Sequence, residues 1–318
     1  MNTTIDMDIS RRSFGIGLGA AGIAAFLASC SGSDETAVES SATKTVTTPL
    51  GTYDIPTDPK RVVAIDSRLD LEPAVALELP IIGYTYAPAT PWVPVGSEAK
   101  YLSELPNREQ ILALEPDLII CLNSDSEWWP VNDLSTIAPV LTTEFDETWR
   151  TNLDNLAGWL GRTPTLDKLI LDYDALVDDI RTRHEAKIAS RTVASVSFLP
   201  DTNMLYITSI RTSEKGDKPS DMTLTDLGGT TLTMDGLDGE GGLAIENVDQ
   251  LSGVDGFMVT DEPDSAEFKA LAESTLWQRL PAVQAGNVTA LGGSTYYGSI
   301  YTISYMVKGW DALYSRMV

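Results

Sequence analysis

The sequence predicts an α/β protein of two lobes with mainly parallel sheets, joined by one long rigid helix and facing each other across a cleft. Three observations carry that expectation. Apolar, strand-like runs alternate with helical stretches, one long amphipathic segment lies mid-chain, and the segments flanking it echo each other. Alternating strands and helices imply parallel sheets, because each crossover returns the chain to the same end of the sheet.

The central segment is PTLDKLILDYDALVDDIRTRHEAKIA, from Pro164 to about Ala189. Leu166, Leu169, Ile170, Tyr173, Leu176, Val177 and Ile180 recur at spacings of three and four, which places them on one helical stripe. Thr163 can cap the amino end, and Pro164 at the first helical position gives up no needed donor. About seven turns, roughly 37 Å, is long enough to run along both lobes.

Before this helix stands EQILALEPDLIICL, from Glu109; after it stands ENVDQLSGVDGFMVT, from Glu246. Each is a short helix with an acid near its start, then a break, then Asp117 or Asp255, then an apolar strand. One unit repeated across a helical divider is what two related lobes would produce.

The chain has 318 residues, enough for two ordinary cores. Its 22 basic residues against 46 acidic ones, net charge −24, argue against nucleic acid, which needs clustered Lys and Arg. A single histidine, His184, and two cysteines exclude a His-rich zinc site and leave no defensible Ser-His-Asp triad. His184, near the end of the long helix, reads as a surface or hinge residue favoured by the helix dipole. No carboxylate pair stands out in so acidic a chain, and Asp238–Gly242 follows no phosphate-loop pattern. The expectation is therefore a protein that is not an enzyme.

The first 29 residues read as an export signal. Arg11 and Arg12 precede Phe14, a short apolar run and then Leu-Ala-Ser-Cys. The run is too short to span a membrane. The adjacent arginines look like a twin-arginine signal, and the final tetrapeptide resembles a lipobox that would leave Cys30 acylated at the outer face of the cell membrane. Residues 30–48, Ser/Thr-rich and without apolar period, read as a flexible tether. Residues 49–162 form the first lobe, 163–189 the linking helix and 190–318 the second lobe. Cys121, within an apolar strand, reads as a small buried hydrophobe.

In the first lobe, strands are expected over residues 61–65, 81–85, 117–122 and 139–143, with a helix over 66–79. In the second, they are expected over 192–198, 204–208, 255–260 and 287–291. Ligands of such sheets meet the loops beyond the strands' carboxyl ends. Those loops carry Arg68, Trp92, Trp128, Trp129, Arg211, Tyr296 and Tyr297, and Tyr84 stands at the end of the second strand as a further candidate. Tryptophan and tyrosine on Pro- or Gly-bounded loops suit a large, partly apolar ligand, although each ring could instead pack beneath its own loop. Arg68 and Arg211 are the candidate cations, each equally open to a surface ion pair.

With these residues in place, the chain resembles the iron-siderophore substrate-binding lipoproteins of bacterial ABC importers, the class with a helical backbone between lobes. The resemblance covers about residues 49 to 318. It rests on IPTDPKRVV from Ile55, EPDLII from Glu115 and LWQRLPAVQAGNV from Leu276. It implies a monomer that holds a ferric siderophore in the cleft with Trp92, Arg211, Tyr296 and Trp128. No cofactor of the protein's own is implied, since iron arrives chelated. It also implies docking on a permease through Glu109 and Glu246. Residues 209–221, SIRTSEKGDKPSD, depart from the family by length and charge. Because a trianionic catecholate complex would want several clustered cations, a neutral or cationic hydroxamate complex is the expected ligand. Haem or a cobalamin-like corrinoid on the same scaffold, or a non-transport interaction lipoprotein, are the alternatives.

Overall fold

The structure is a computed structural model that describes residues 42–210, 218–234, 237 and 241–318. The export signal and Cys30 lie outside the described residues. The first element is a hairpin in which β1 (Thr43–Thr48) pairs antiparallel with β2 (Gly51–Pro56). This corrects the tether expected over residues 30–48, whose last six residues are strand. Thr and Val are β-branched, and in β1 they alternate, with Val46 and Thr48 turned inward and Thr45 and Thr47 outward. Across the hairpin Thr45 donates to Asp54 at 2.6 Å, and the Tyr53 hydroxyl donates to the Val140 carbonyl, fastening the hairpin to the first lobe.

The first lobe's sheet contains β3 (Val62–Ala64), β4 (Ile81–Tyr84), β5 (Lys100–Tyr101), β6 (Leu118–Leu122) and β7 (Val140–Thr143). Its order is β5-β4-β3-β6-β7 and every pairing is parallel, as expected. All five residues of β6 are buried, which explains its unbroken apolar sequence, and Cys121 among them is a free, fully buried thiol. Helices α1 (Leu71–Ala76), α2 (Arg108–Ala113) and α3 (Val131–Leu134) lie on the crossovers. Helix α1 is shorter than residues 66–79 because Asp66 turns the chain first, accepting from the Arg68 and Leu69 amides.

Helix α4 (Trp149–Leu160) stops at left-handed Gly161, and α5 (Thr163–Ser190) follows at once. Arg162 rather than Thr163 stands at the α5 cap position, with Pro164 in the first turn. Leu166, Tyr173, Val177 and Ile180 are buried as the stripe predicts, and the stripe continues through His184 and Ile188.

The second lobe contains β8 (Val193–Leu199), β9 (Met204–Ile207), α6 (Pro219–Asp226), β10 (Gly242–Ala244), β11 (Gly256–Val259), α7 (Ala266–Glu273), α8 (Pro281–Gln284), β12 (Val288–Ala290) and α9 (Ile300–Arg316). Its sheet runs β10-β9-β8-β11-β12 and is mixed. Strands β8, β11 and β12 are parallel, whereas β9 runs against both neighbours. Only four residues connect β8 to β9, too few for a crossover, so the pair must be a hairpin.

The sequence repeat is real in three dimensions. Asp117 and Asp255 each open the strand that follows them, and each accepts backbone N–H groups from the start of the neighbouring parallel strand. Asp117 takes those of Lys60 and Arg61 at 2.7 and 2.9 Å; Asp255 takes that of Thr192 at 2.8 Å.

One apolar core runs through both lobes, with α1, α4, α5, α6 and α9 contributing to it. Trp310 and Tyr314 of α9 are fully buried there, and Trp310 Nε1 donates to Thr223 of α6 at 3.0 Å. His184 is not a surface or hinge residue. It is buried between α5 and α9, 2.7 Å from the Asp311 carboxylate and stacked on Tyr314. A second core lies within the second-lobe sheet and its outer helices, and a third backs β6. Among the described residues no helix is long and apolar enough to cross a membrane.

Candidate ligand-binding cleft

Beyond β3 the chain turns through Asp66-Ser67-Arg68. The Arg68 guanidinium meets the fully buried Asp66 carboxylate twice, Nε at 3.1 Å and Nη2 at 2.9 Å. Its flat face lies 3.9 Å from the Tyr86 ring centre and 5.0 Å from that of Tyr297, which belongs to the other lobe. Burial opposes the Arg68 charge, but the Asp66 carboxylate, with the two tyrosine rings, holds its pKa above the ordinary value. Behind this pair Asp70 is fully buried, accepting from the Asp66 and Leu122 amides and from Thr143 Oγ1. Burial and the nearby Asp66 push its pKa up.

Around Arg68 the rings form a continuous wall. Tyr86 stands 5.7 Å from Trp128 and 6.2 Å from Trp129, and Trp129 stands 6.5 Å from Phe145 of the loop beyond β7. Phe145 reaches Tyr297 at 5.1 Å, and Tyr297 meets Tyr296 at 4.8 Å. Lys218, just before α6, places its ammonium 4.7 Å over Tyr296. Four of these rings come from the first lobe and two from the second, so the wall is assembled only where the lobes meet. In the loop beyond β6, Ser126 Oγ and Trp129 Nε1 are buried without a partner among the described residues, leaving polar groups to spend on a ligand.

Of the predicted site residues, the structure gathers Arg68, Trp128, Tyr296 and Tyr297 here. Tyr84 is a correction. It is buried in the core against Tyr101, and its hydroxyl accepts from the Ala89 amide at 3.3 Å. As the last residue of β4 it still faces the sheet, whereas Tyr86, two residues on, has left it. Trp92 is engaged elsewhere, stacked on Tyr305 of α9 at 4.0 Å and donating to Thr302 at 2.9 Å. Arg211 lies outside the described residues. Glu109 and Glu246 are both exposed, in the first turn of α2 and of the 3-10 turn Ile245–Leu251.

Sequence reasoning set Tyr86 at the head of the loop beyond β4 and counted Lys218 among the loop cations without making either a site residue, and it passed over Phe145. Tyr86 adopts a left-handed backbone, φ 81°, that non-glycine residues rarely take. Only its place two residues beyond a strand end could have signalled it.

The cleft is filled by its own side chains. A cavity of about 70 Å³ lies between Glu144, Phe145 and Trp149 on one side and Lys218, Tyr296 and Tyr297 on the other. Tyr296 and Lys218 also border a second cavity, about 190 Å³, lined by Ser197, Thr208, Ser220 and Asp261. Ligands of drug size need about 300 to 1,000 Å³. Tyr296, 38% exposed, and Lys218 are common to both.

The model of the periplasmic binding protein family matches residues 96–295. The chain belongs to that family. Its members are binding proteins, and solved structures agree in fold. FhuD from Vibrio cholerae, bound to Fe3+–Desferal, superposes with a TM-score of 0.69 at 18% identity, covering 81% of this chain and 99% of that one. SirA from Staphylococcus aureus, complexed with staphyloferrin B, gives 0.65 at 20% identity over 86% and 98%. A periplasmic solute binding protein from Mycobacterium smegmatis gives 0.70 at 20% identity, again over 86% and 98%. A comparison with curated proteins found no significant match.

Proposed function

We propose that the protein is a lipid-anchored receptor that captures a ferric siderophore and hands it to an ABC importer. The observation that carries this reading is the wall of rings from both lobes closing on Arg68. Such rings give a bulky chelate apolar area and flat faces without supplying a metal ligand. The single imidazole, His184, is committed to Asp311 in the α5–α9 contact, which disfavours haem held by histidine. The siderophores held by FhuD and SirA support the ligand class.

Charge narrows the class. Arg68 is already neutralised by Asp66, and Glu144, Glu147 and Asp261 line the two cavities beside Lys218. A trianionic catecholate complex would enter an environment of its own sign. The cleft therefore favours a neutral or cationic ferric complex of hydroxamate type. Anchoring through acylated Cys30, twin-arginine export and permease docking through Glu109 and Glu246 belong to the same reading. The two acids are exposed at equivalent points of the repeat, where one arginine-bearing partner could grip both lobes.

Tryptophan fluorescence tests the function. Ferric desferrioxamine B should quench it saturably and more strongly than a ferric tris-catecholate. If no ferric hydroxamate, catecholate or carboxylate quenches it, the receptor reading fails.

A further inference from the structure

The segment between β12 and α9, residues 291–299, carries Tyr296 and Tyr297 into the cleft, yet both of its ends are held by the first lobe. At its start, the Trp92 ring lies against Gly293, where a Cβ would run into the indole. The same ring stacks on Tyr305, whose hydroxyl donates to the Leu291 carbonyl. At its end, the Glu72 carboxylate of α1 accepts from the Ser299 amide at 2.8 Å, the Thr302 amide at 3.1 Å and the Thr302 hydroxyl. Trp92 Nε1 donates to that same hydroxyl, so one threonine joins the two anchors. Ser299 caps α9 by position but makes no side-chain cap of its own; the carboxylate that satisfies these helix-end amides comes from α1 of the other lobe.

Between the anchors Ser294 and Tyr296 are exposed and Tyr297 is half-buried, while Gly292, Thr295, Gly298 and Ser299 are buried. A loop tied at both ends fixes where its rings stand.

We infer that Glu72 and Trp92 are positioning residues, clamping the two ends of this loop and so setting the second lobe's half of the aromatic wall. The inference rests on the ferric-siderophore reading for its consequence in binding, but its structural half can be measured without ligand. In Glu72→Gln, amide exchange at Ser299 and Thr302, measured at pH 8 where Glu72 carries its charge, should quicken roughly tenfold, because the charge on their acceptor is lost. In Trp92→Phe, which keeps a ring on Tyr305 and loses the donor to Thr302, exchange across residues 292–299 should rise several-fold. Ferric desferrioxamine B should leave both variants faster than wild type, again about tenfold for Glu72→Gln. That difference should disappear when Tyr296→Ala and Tyr297→Ala are also present, which a general loss of stability would not do. Should Glu72→Gln fail to fold, Trp92→Phe carries the same test. Wild-type exchange in the folded variants overturns the inference, as does a release effect that persists without the two tyrosines. Failure of wild-type protein to bind any ferric chelate sinks the receptor reading instead, and the exchange rates still decide whether the loop is clamped.

Discussion

Along α5 and α9 the lobes are joined by buried carbon, with Trp310, Tyr314, Val177 and Ile180 in one core. At the strand ends the same lobes meet through half-exposed rings around a guanidinium. On the helical side His184 and Asp311, and Lys187 with the Tyr314 carbonyl at 2.9 Å, stitch one helix to the next. Buried polar atoms without a partner among the described residues occur on both sides, Ser126 Oγ and Trp129 Nε1 at the cleft and the Tyr314 hydroxyl in the core. The contrast teaches that stiffness and recognition are held on opposite faces of one molecule. Rings can part at the cleft without loosening the core, and lobe motion on binding should be small.

Substitutions cost most where the core is densest. Trp310→Ala should cost about 3–5 kcal/mol in denaturant unfolding, since it removes a fully buried indole and its bond to Thr223. Arg68→Ala should cost about 3 kcal/mol by the same measurement, because it strands the Asp66 charge. Much of that loss should return in an Asp66→Asn background.

Glu72 makes the α1–α9 contact sensitive to pH. Burial pushes its pKa up from 4.5 to about 7, against the pull of the Thr302 and Ser299 hydrogen bonds, and Asp66 adds to the rise. The folded protein thus keeps a proton that the unfolded chain gives up above pH 4.5. Stability must fall as pH climbs from there to about 7, by roughly 3 kcal/mol, and level off beyond. Urea midpoints should drop across that window, and Glu72→Gln should flatten the slope. Asp70, raised by burial and by Asp66, acts in the same direction.

On the cleft side the effects move from stability to affinity. Trp128→Ala should weaken ferric hydroxamate binding about tenfold in a quenching titration, at a stability cost under about 1 kcal/mol. Charge reversal of Glu109 and Glu246 should leave affinity and stability within about 0.5 kcal/mol of wild type while abolishing importer-dependent uptake.

How much of this was legible in the sequence follows from the range of each interaction. Helix α5 and strand β6 declare themselves by period and by unbroken apolarity, and the Asp117 and Asp255 repeat by local pattern. Strand β1 was hidden because threonine, abundant in tethers, is also a strand former, and its two-residue alternation is short. Tyr84 and Tyr86 differ by two positions, and their fates turn on a left-handed backbone that composition does not announce. The tie between Glu72 and Thr302 spans 230 residues, so nothing near either one could reveal it. Trp92 was singled out as a candidate ligand-binding ring, but its partners on α9 were not legible.

Hydrogen exchange of the wild-type protein with and without ferric desferrioxamine B tests the division between the two faces most directly. Protection should appear around Tyr86, across residues 123–130 and across residues 292–299, while α5 and α9 exchange as before. Protection centred on α5 and α9, or none anywhere at saturating ligand, would contradict the account.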